Sequence, residues 1–229
     1  MLYIIGLGLT TRGISLHGKK ILKNVKKIYL ESYTVEFPYT KKELEKELKI
    51  KVVDAGREFV ESERIVEEAK DEDVALLVYG SPLVATTHIS LINACKSGGV
   101  KFQVLHAGSV FDAVAESGLS FYKFGKTASL PAWSSGFTPK SFMEIIEDNL
   151  KIGAHTLLLI DIGLSFDSAR EQLVKSGVSG KVVVCSRLGV KSRFYYDELG
   201  EIDGDRVKAP FCIIVPGKIE EYEVEALGS

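Results

Sequence analysis

Short apolar runs, several of them closed by glycine, alternate with charged stretches of helical spacing, and this rhythm constrains the fold of the chain more than any other feature. Residues 2–5 form one such run, ended by Gly6; residues 28–30 form a second; residues 74–79 form a third, ended by Gly80. Each reads as a buried strand. Between them, residues 16–25, Lys41–Leu48 and residues 59–69 carry helical spacing, the last with Phe59, Ile65, Val66 and Ala69 as an apolar stripe among acidic residues. Residues 85–95 supply a further helix, for which Thr86 or Thr87 is the plain choice of cap. Residues 100–105 read as the next strand and residues 110–115 as a helix. Strands and helices in this order predict a mostly parallel sheet with helices on its faces.

Near Gly118 the rhythm changes. Residues 121–133 are rich in aromatic and β-forming residues, with Pro131 and Gly136 closing the stretch, and read as strand and loop. Thr138-Pro139 predicts a helix start, with Phe142, Ile145, Ile146 and Leu150 as its apolar face. Residues 156–162 read as a buried strand, 165–175 as a helix, Lys181–Ser186 as a strand, 193–196 as an edge-like strand and Phe211–Val215 as a last buried strand. Adjacent strands without intervening helices predict a mixed sheet. The expected fold class is therefore α/β, with two α/β domains, residues 1–117 with a mostly parallel sheet and residues 118–229 with a mixed one.

Composition excludes several classes of protein. With 229 residues, 45% apolar and 26% charged, the chain carries a substantial core and is neither fibrous nor low in complexity. The 29 Lys+Arg against 31 Asp+Glu leave a net charge of -2, so no general affinity for nucleic acid or an anionic membrane is expected. The longest apolar runs, residues 156–162 and 211–216, fall far short of the roughly 20 residues that span a bilayer. The first residues run into a strand pattern without a basic region or cleavage site, which argues against a secretion signal and predicts a cytoplasmic protein. Cys95, Cys185 and Cys212 sit in apolar contexts without zinc spacing and read as reduced core residues. His17, His88, His106 and His155 are too dispersed for a metal site, so none is expected.

The glycine-bearing loops that follow the strands are where chemistry is expected. They are Gly6-Leu7-Gly8-Leu9, Gly80-Ser81-Pro82-Leu83 and Ala107-Gly108-Ser109. Ligands of open α/β sheets sit at such carboxyl ends, because glycine lets the backbone approach and leaves amides and carbonyls free. The first loop departs from the dinucleotide fingerprint, since Thr11 stands at the third glycine and the following residues read as loop. Glu31 is the best point in favour of a nucleotide, as a residue placed to hold a ribose hydroxyl; its plain reading is a solvated strand end. There is no Walker A sequence and no GxSxG elbow. The absence of a marked acid, base or nucleophile fits a group transfer that depends on positioning an activated donor, and no catalytic residue is assigned. Tyr122, Phe124 and Trp133 read as core, with a substrate-facing aromatic patch as the alternative; Lys123 and Lys126 read as exposed lysines or as a means of steering an acidic face of a protein substrate, and residues 58–73 as a solvated acidic helix face.

Five segments carry a family resemblance: Tyr3-Ile4-Ile5-Gly6-Leu7-Gly8-Leu9, Gly80-Ser81-Pro82-Leu83-Val84-Ala85-Thr86-Thr87-His88, Tyr122-Lys123-Phe124-Gly125-Lys126, residues 155–162, and Ile214-Val215-Pro216-Gly217-Lys218. In this order, over nearly the full length, they resemble the diphthine synthase family of tetrapyrrole-methylase-like methyltransferases. The resemblance implies S-adenosylmethionine in the cleft between two α/β domains, S-adenosylhomocysteine as product, and a homodimer. It also implies methylation of the amino group of a modified histidine on translation elongation factor 2, giving diphthine on the way to diphthamide. The implied cofactor contacts are Leu9, Ser81, Val84, Ser109 and Val110 in the first domain and Ile160, Leu188 and Phe211 in the second. Two positions depart from the family pattern: Ser81 stands where GDPL would put an acid, and Phe211 replaces a more polar residue. The competing readings are a corrin or porphyrin precursor methylase, whose polyanionic substrate calls for a basic cleft, and a nucleotide-binding oxidoreductase or non-catalytic nucleotide-binding module using Gly6, Gly8 and Glu31.

Overall fold

The computed structural model describes residues 1–228, and the chain divides into two compact units, Met1–Asp112 and Ala113–Ser229. In the first unit, β1 (Leu2–Gly6), β2 (Lys27–Glu31), β3 (Val53–Ala55), β4 (Val74–Val78) and β5 (Phe102–Leu105) pair in parallel in the order β3-β2-β4-β1-β5. The helices are α1 (Leu16–Leu22), α2 (Lys41–Leu48), α3 (Arg57–Glu61), α4 (Arg64–Asp71), α5 (Ile89–Ser97) and the single turn α6 (Val110–Ala113). Alternation along the central strands sends neighbouring side chains to opposite faces. Ile4 and Leu76 join Ile65, Val66 and Leu91 from α4 and α5 in one apolar cluster, whereas Ile5 and Leu77 join Leu22 and Leu44 from α1 and α2 in another. Both faces of the sheet are therefore buried, which is why β4 is apolar along its whole length.

In the second unit, β6 (Ala128–Leu130), β7 (Thr156–Ile160), β8 (Lys181–Ser186), β9 (Arg193–Glu198) and β10 (Phe211–Val215) form a sheet of order β6-β7-β10-β8-β9. Only the β6 and β7 pair is parallel, so the sheet is mixed, as its closely spaced strands predict. Its core takes Phe142 and Ile146 from α7 (Ser141–Lys151) and Ala169 and Leu173 from α8 (Phe166–Ser176). A last helix, α9 (Glu221–Leu227), ends the described chain.

Local structure departs from the sequence pattern where the backbone turns left-handed or a cap lies elsewhere. The stripe over residues 59–69 is split into α3 and α4 by Glu63 at φ 62°, while the Ser62 hydroxyl donates to the Phe59 carbonyl. The helix expected from residue 85 begins at Ile89: Ala85 lies at φ 55°, and neither Thr86 nor Thr87 caps it. Thr138-Pro139 does not open α7, which begins at Ser141, because the Pro139 carbonyl accepts from the Trp133 indole. The edge strand β3 was not legible at all, having two exposed residues in three.

Candidate functional site at the strand ends

Gly6 closes β1 at a point where no side chain fits. A Cβ there would lie 2.7 Å from the Gly80 carbonyl oxygen and 3.0 Å from both Ala107 Cβ and Pro82 Cδ. The loops after β1, β4 and β5 are thus drawn onto one glycine. Gly8 and Gly80, at φ 66° and 70°, exchange backbone hydrogen bonds, with Gly8 N–H donating to Gly80 O at 3.1 Å and Gly80 N–H to Gly8 O at 3.0 Å. Left-handed backbone at both positions suits glycine. Leu9 follows, its carbonyl accepting from the Tyr79 hydroxyl at 3.3 Å.

Ser81 opens a tight turn in which Val84 N–H donates to Ser81 O at 3.1 Å. The Ser81 hydroxyl is buried and lies 3.3 Å from Nδ1 of His106. Ser109 gives both its N–H, at 2.6 Å, and its hydroxyl, at 2.9 Å, to the carboxylate of Asp112, which fixes the start of α6 at Val110. Leu9, Ser81, Val84, Ser109 and Val110 are therefore gathered at the carboxyl ends of β4, β1 and β5, three consecutive strands of the sheet.

Ile160, Leu188 and Phe211 come together in their own unit. Ile160 ends β7, opposite Leu130; Phe211 begins β10, opposite Ser186; and Leu188 follows just past β8. Arg187, at φ 53°, donates its N–H to the Pro210 carbonyl at 2.8 Å, which ties the Leu188 turn to the start of β10. A non-glycine residue held left-handed is a cost that functional loops often carry. Phe211 packs edge-on against Phe166 with ring centroids 5.9 Å apart, so it is anchored in the core as well as placed at the strand end.

Several sequence expectations need correction. Glu31 is neither a solvated strand end nor free for a ribose: it is fully buried, and it accepts from Tyr33 N–H at 2.8 Å, Thr34 N–H at 2.9 Å and the Thr34 hydroxyl at 2.8 Å. Lys123 is not a free surface lysine, since its ammonium binds the buried carboxylate of Glu223. Tyr122 is not core; it is 98% exposed, because the single 3-10 turn of Phe121–Lys123 directs it outward while Phe124 packs against His155 at 5.5 Å. Sequence reading also missed His106, Asp112 and Tyr79 as site supports. Asp112 was findable, because an acid three residues after Ser109 is a capping pattern. His106 was not, because its approach to Ser81 depends on strand register. Among the described residues, no group of three or more His, Cys, Asp or Glu is arranged to hold a metal ion, and no helix is long and apolar enough to cross a membrane.

This fold and site define a class. Residues 1–203 match the family of tetrapyrrole (corrin/porphyrin) methylases. Within it, the diphthine synthase of Methanococcus maripaludis strain C5 is 35% identical over 248 residues, covering 99% of this chain and 97% of that protein. The diphthine methyl ester synthase of Yarrowia lipolytica is 36% identical over 233 residues, covering 100% of this chain and 75% of that one. A solved crystal structure of a diphthine synthase superimposes with a TM-score of 0.90 at 29% identity, covering 99% of this chain and 94% of that one. The chain belongs to the diphthine synthases of the tetrapyrrole methylase family, and it is a methyltransferase.

Proposed function

We propose that this methyltransferase takes methyl groups from S-adenosylmethionine, releases S-adenosylhomocysteine, and methylates the amino group of the modified histidine of elongation factor 2 to form diphthine. The reading rests above all on the convergence at Gly6. Three strand ends close on a position without a side chain, which sets the loops that carry Leu9, Ser81, Val84, Ser109 and Val110 side by side at the carboxyl edge of the sheet, where ligands of such sheets bind. The residues suit the donor: Leu9 and Val84 offer apolar contact to an adenosine or a methionine chain, and Ser81 and Ser109 stand beside them with hydroxyls. Ile160, Leu188 and Phe211, the contacts expected of the second unit, are apolar side chains that suit the same donor.

When bound, the donor supplies a methyl group already activated on a sulfonium, so the protein's task is alignment and exclusion of water. The cap of Asp112 on Ser109 and the bond of Tyr79 to the Leu9 carbonyl hold two of the proposed contact loops still. No side chain is assigned as a base; a neutral amine brings its own lone pair, and bulk water takes the proton afterwards.

We place the enzyme in the cytoplasm as a homodimer, on the strength of the same family membership. The name of the Yarrowia relative favours a second reading, in which a carboxylate of the acceptor is esterified as well. Incubation with isotopically labelled S-adenosylmethionine and elongation factor 2 carrying the unmethylated precursor, followed by mass spectrometry, tests both. Label on the amino group supports the main reading, additional base-labile label supports the second, and no label on the modified histidine defeats both. A thermal shift with S-adenosylhomocysteine but not with NAD separates this reading from the oxidoreductase.

A further inference from the structure

His88 ends the segment that follows β4, and it is almost fully buried, at 1% exposure. Its Nδ1 lies 3.1 Å from the Pro82 carbonyl oxygen. A carbonyl only accepts, so Nδ1 carries the hydrogen and Nε2 presents a lone pair. That lone pair faces the Tyr33 hydroxyl at 3.5 Å, and the Tyr33 ring stands edge-on to the imidazole with centroids 6.4 Å apart. Tyr33 is in turn fixed by its N–H to the buried carboxylate of Glu31. A chain of contacts therefore runs from the end of β2 to the loop after β4.

The Pro82 carbonyl is a particular atom to hold. In the turn of residues 81–84 it belongs to the central peptide, the one whose rotation by half a circle interconverts the two common turn types. The rotated form would need Leu83 at positive φ, and Leu83 is not among the residues with that conformation. The remainder of the segment is costly to maintain: Ala85 is left-handed at φ 55°, and the buried Thr86 hydroxyl has no hydrogen-bond partner among the described residues. A strained segment of this kind keeps one shape only if something outside it imposes that shape.

We propose that His88 is a positioning residue for the methyl-donor site, fixing the Pro82–Leu83 peptide so that Ser81 and Val84 face the donor in one orientation. The inference rests on the proposed function. It adds to that reading a residue that does not touch the donor and acts through the turn. Burial holds the imidazole below its ordinary range, which keeps it neutral and able to accept from Tyr33 at neutral pH.

Substitutions that imitate one ring nitrogen at a time test this. In His88→Asn the amide occupies the place of Nδ1 and keeps the bond to Pro82; in His88→Gln it imitates Nε2 and loses that bond. Calorimetric titration of S-adenosylhomocysteine is expected to show a loss of about five- to tenfold in affinity for His88→Ala and His88→Gln, with recovery to within about twofold in His88→Asn. Hydrogen exchange of the peptide containing Val84 is expected to accelerate in the first two variants and not in the third, with the amides of β1 unchanged. Equal binding by all variants, or asparagine no better than glutamine, overturns the proposal. If the alanine and glutamine variants fail to fold, Leu83→Gly decides: binding within about twofold of the parent supports His88 as the restraint, whereas a tenfold loss assigns the restraint to Leu83 and overturns it. Folded parent protein that does not bind S-adenosylhomocysteine removes the functional reading itself, and the proposal with it.

Discussion

Ser81 reaches His106 across a strand that belongs to neither of them. Ser81 follows β4 and His106 follows β5, with β1 between them in the sheet, yet hydroxyl and Nδ1 are 3.3 Å apart. The contact exists because β1 ends in Gly6, where a Cβ would lie within 3.0 Å of both Pro82 and Ala107. An acid at this position would place a carboxylate beside the same imidazole. We expect Ser81→Asp to bind S-adenosylhomocysteine as tightly as the parent or more tightly, since a carboxylate accepts stronger hydrogen bonds than a hydroxyl. Calorimetry checks this, and a tenfold loss would show that the turn has been wrongly assigned to the donor.

Gly6→Ala tests the convergence itself. The new methyl would lie 2.7 Å from a backbone carbonyl oxygen, which cannot swing aside as a side chain would. We expect a loss of about 1–3 kcal/mol of stability, the range typical of overpacking, together with weakened binding of S-adenosylhomocysteine. Gly108→Ala is the control, because its Cβ would meet nothing within 4 Å. Urea unfolding of the two variants side by side should separate them, and a parent-like midpoint for Gly6→Ala would refute the close approach.

Much of this arrangement was legible in the sequence, for a physical reason. Strands such as β4 and β10 are buried on both sides and must be apolar throughout; the glycine that ends β1 is demanded by a backbone contact that excludes a side chain, and the one that follows β4 by a left-handed φ of 70°. What escaped was set by tertiary partners. Glu31 looks like any acid at a strand end until Tyr33 and Thr34 fold back onto it. Thr86 and Thr87 have the chemistry of helix caps, yet Ala85 turns left-handed and α5 starts later. Lys123 reads as solvated because its partner, Glu223, arrives from a helix a hundred residues further on. Local propensity carries no information about such encounters.

Glu223 predicts how the protein responds to acid. It is fully buried, and burial alone would raise its pKa. The N–H of Glu220, the Lys123 ammonium, the N–H of Ser120 and His155 outweigh that and hold the carboxyl at about 2, against an ordinary 4.5. His155 accepts from Gly217 N–H at its Nδ1, so its Nε2–H donates to Glu223 at 3.1 Å; burial lowers its pKa from 6.5. The signs agree. The unfolded chain binds a proton at His155 first as the pH falls below 6.5, and at the carboxyl first below 4.5, so stability declines from 6.5 downward and continues to decline until about 2. Glu223→Gln should lower stability at neutral pH by about 1.5–3 kcal/mol, through loss of hydrogen bonds to a charged acceptor, and should flatten the part of the decline below pH 4.5. Urea midpoints at pH 7, 4 and 3 would show it; an undiminished acid limb in the variant would place the sensitivity elsewhere.

Cys185 and Cys212 face each other across β8 and β10 in the second sheet, and Cys95 is buried in α5 of the first unit. Directly opposed residues of antiparallel strands lie within disulfide range, so distance alone does not protect the pair. Reactivity does: the hydrogen bond with Cys212, followed by burial, pushes the Cys185 thiol well above its ordinary range, and burial raises Cys95. Only a thiolate attacks a peroxide or an aromatic disulfide reagent, and neither group forms one readily near neutral pH. We therefore expect Cys185 and Cys95 not to react with such a reagent in the folded protein at neutral pH, Cys212 to be kept from it by burial, and all three to react in denaturant. After exposure to millimolar hydrogen peroxide, intact-mass spectrometry should find the native chain without the two-hydrogen loss of a disulfide; a Cys185–Cys212 crosslink formed under those conditions would mean that the sheet opens far enough to admit the oxidant.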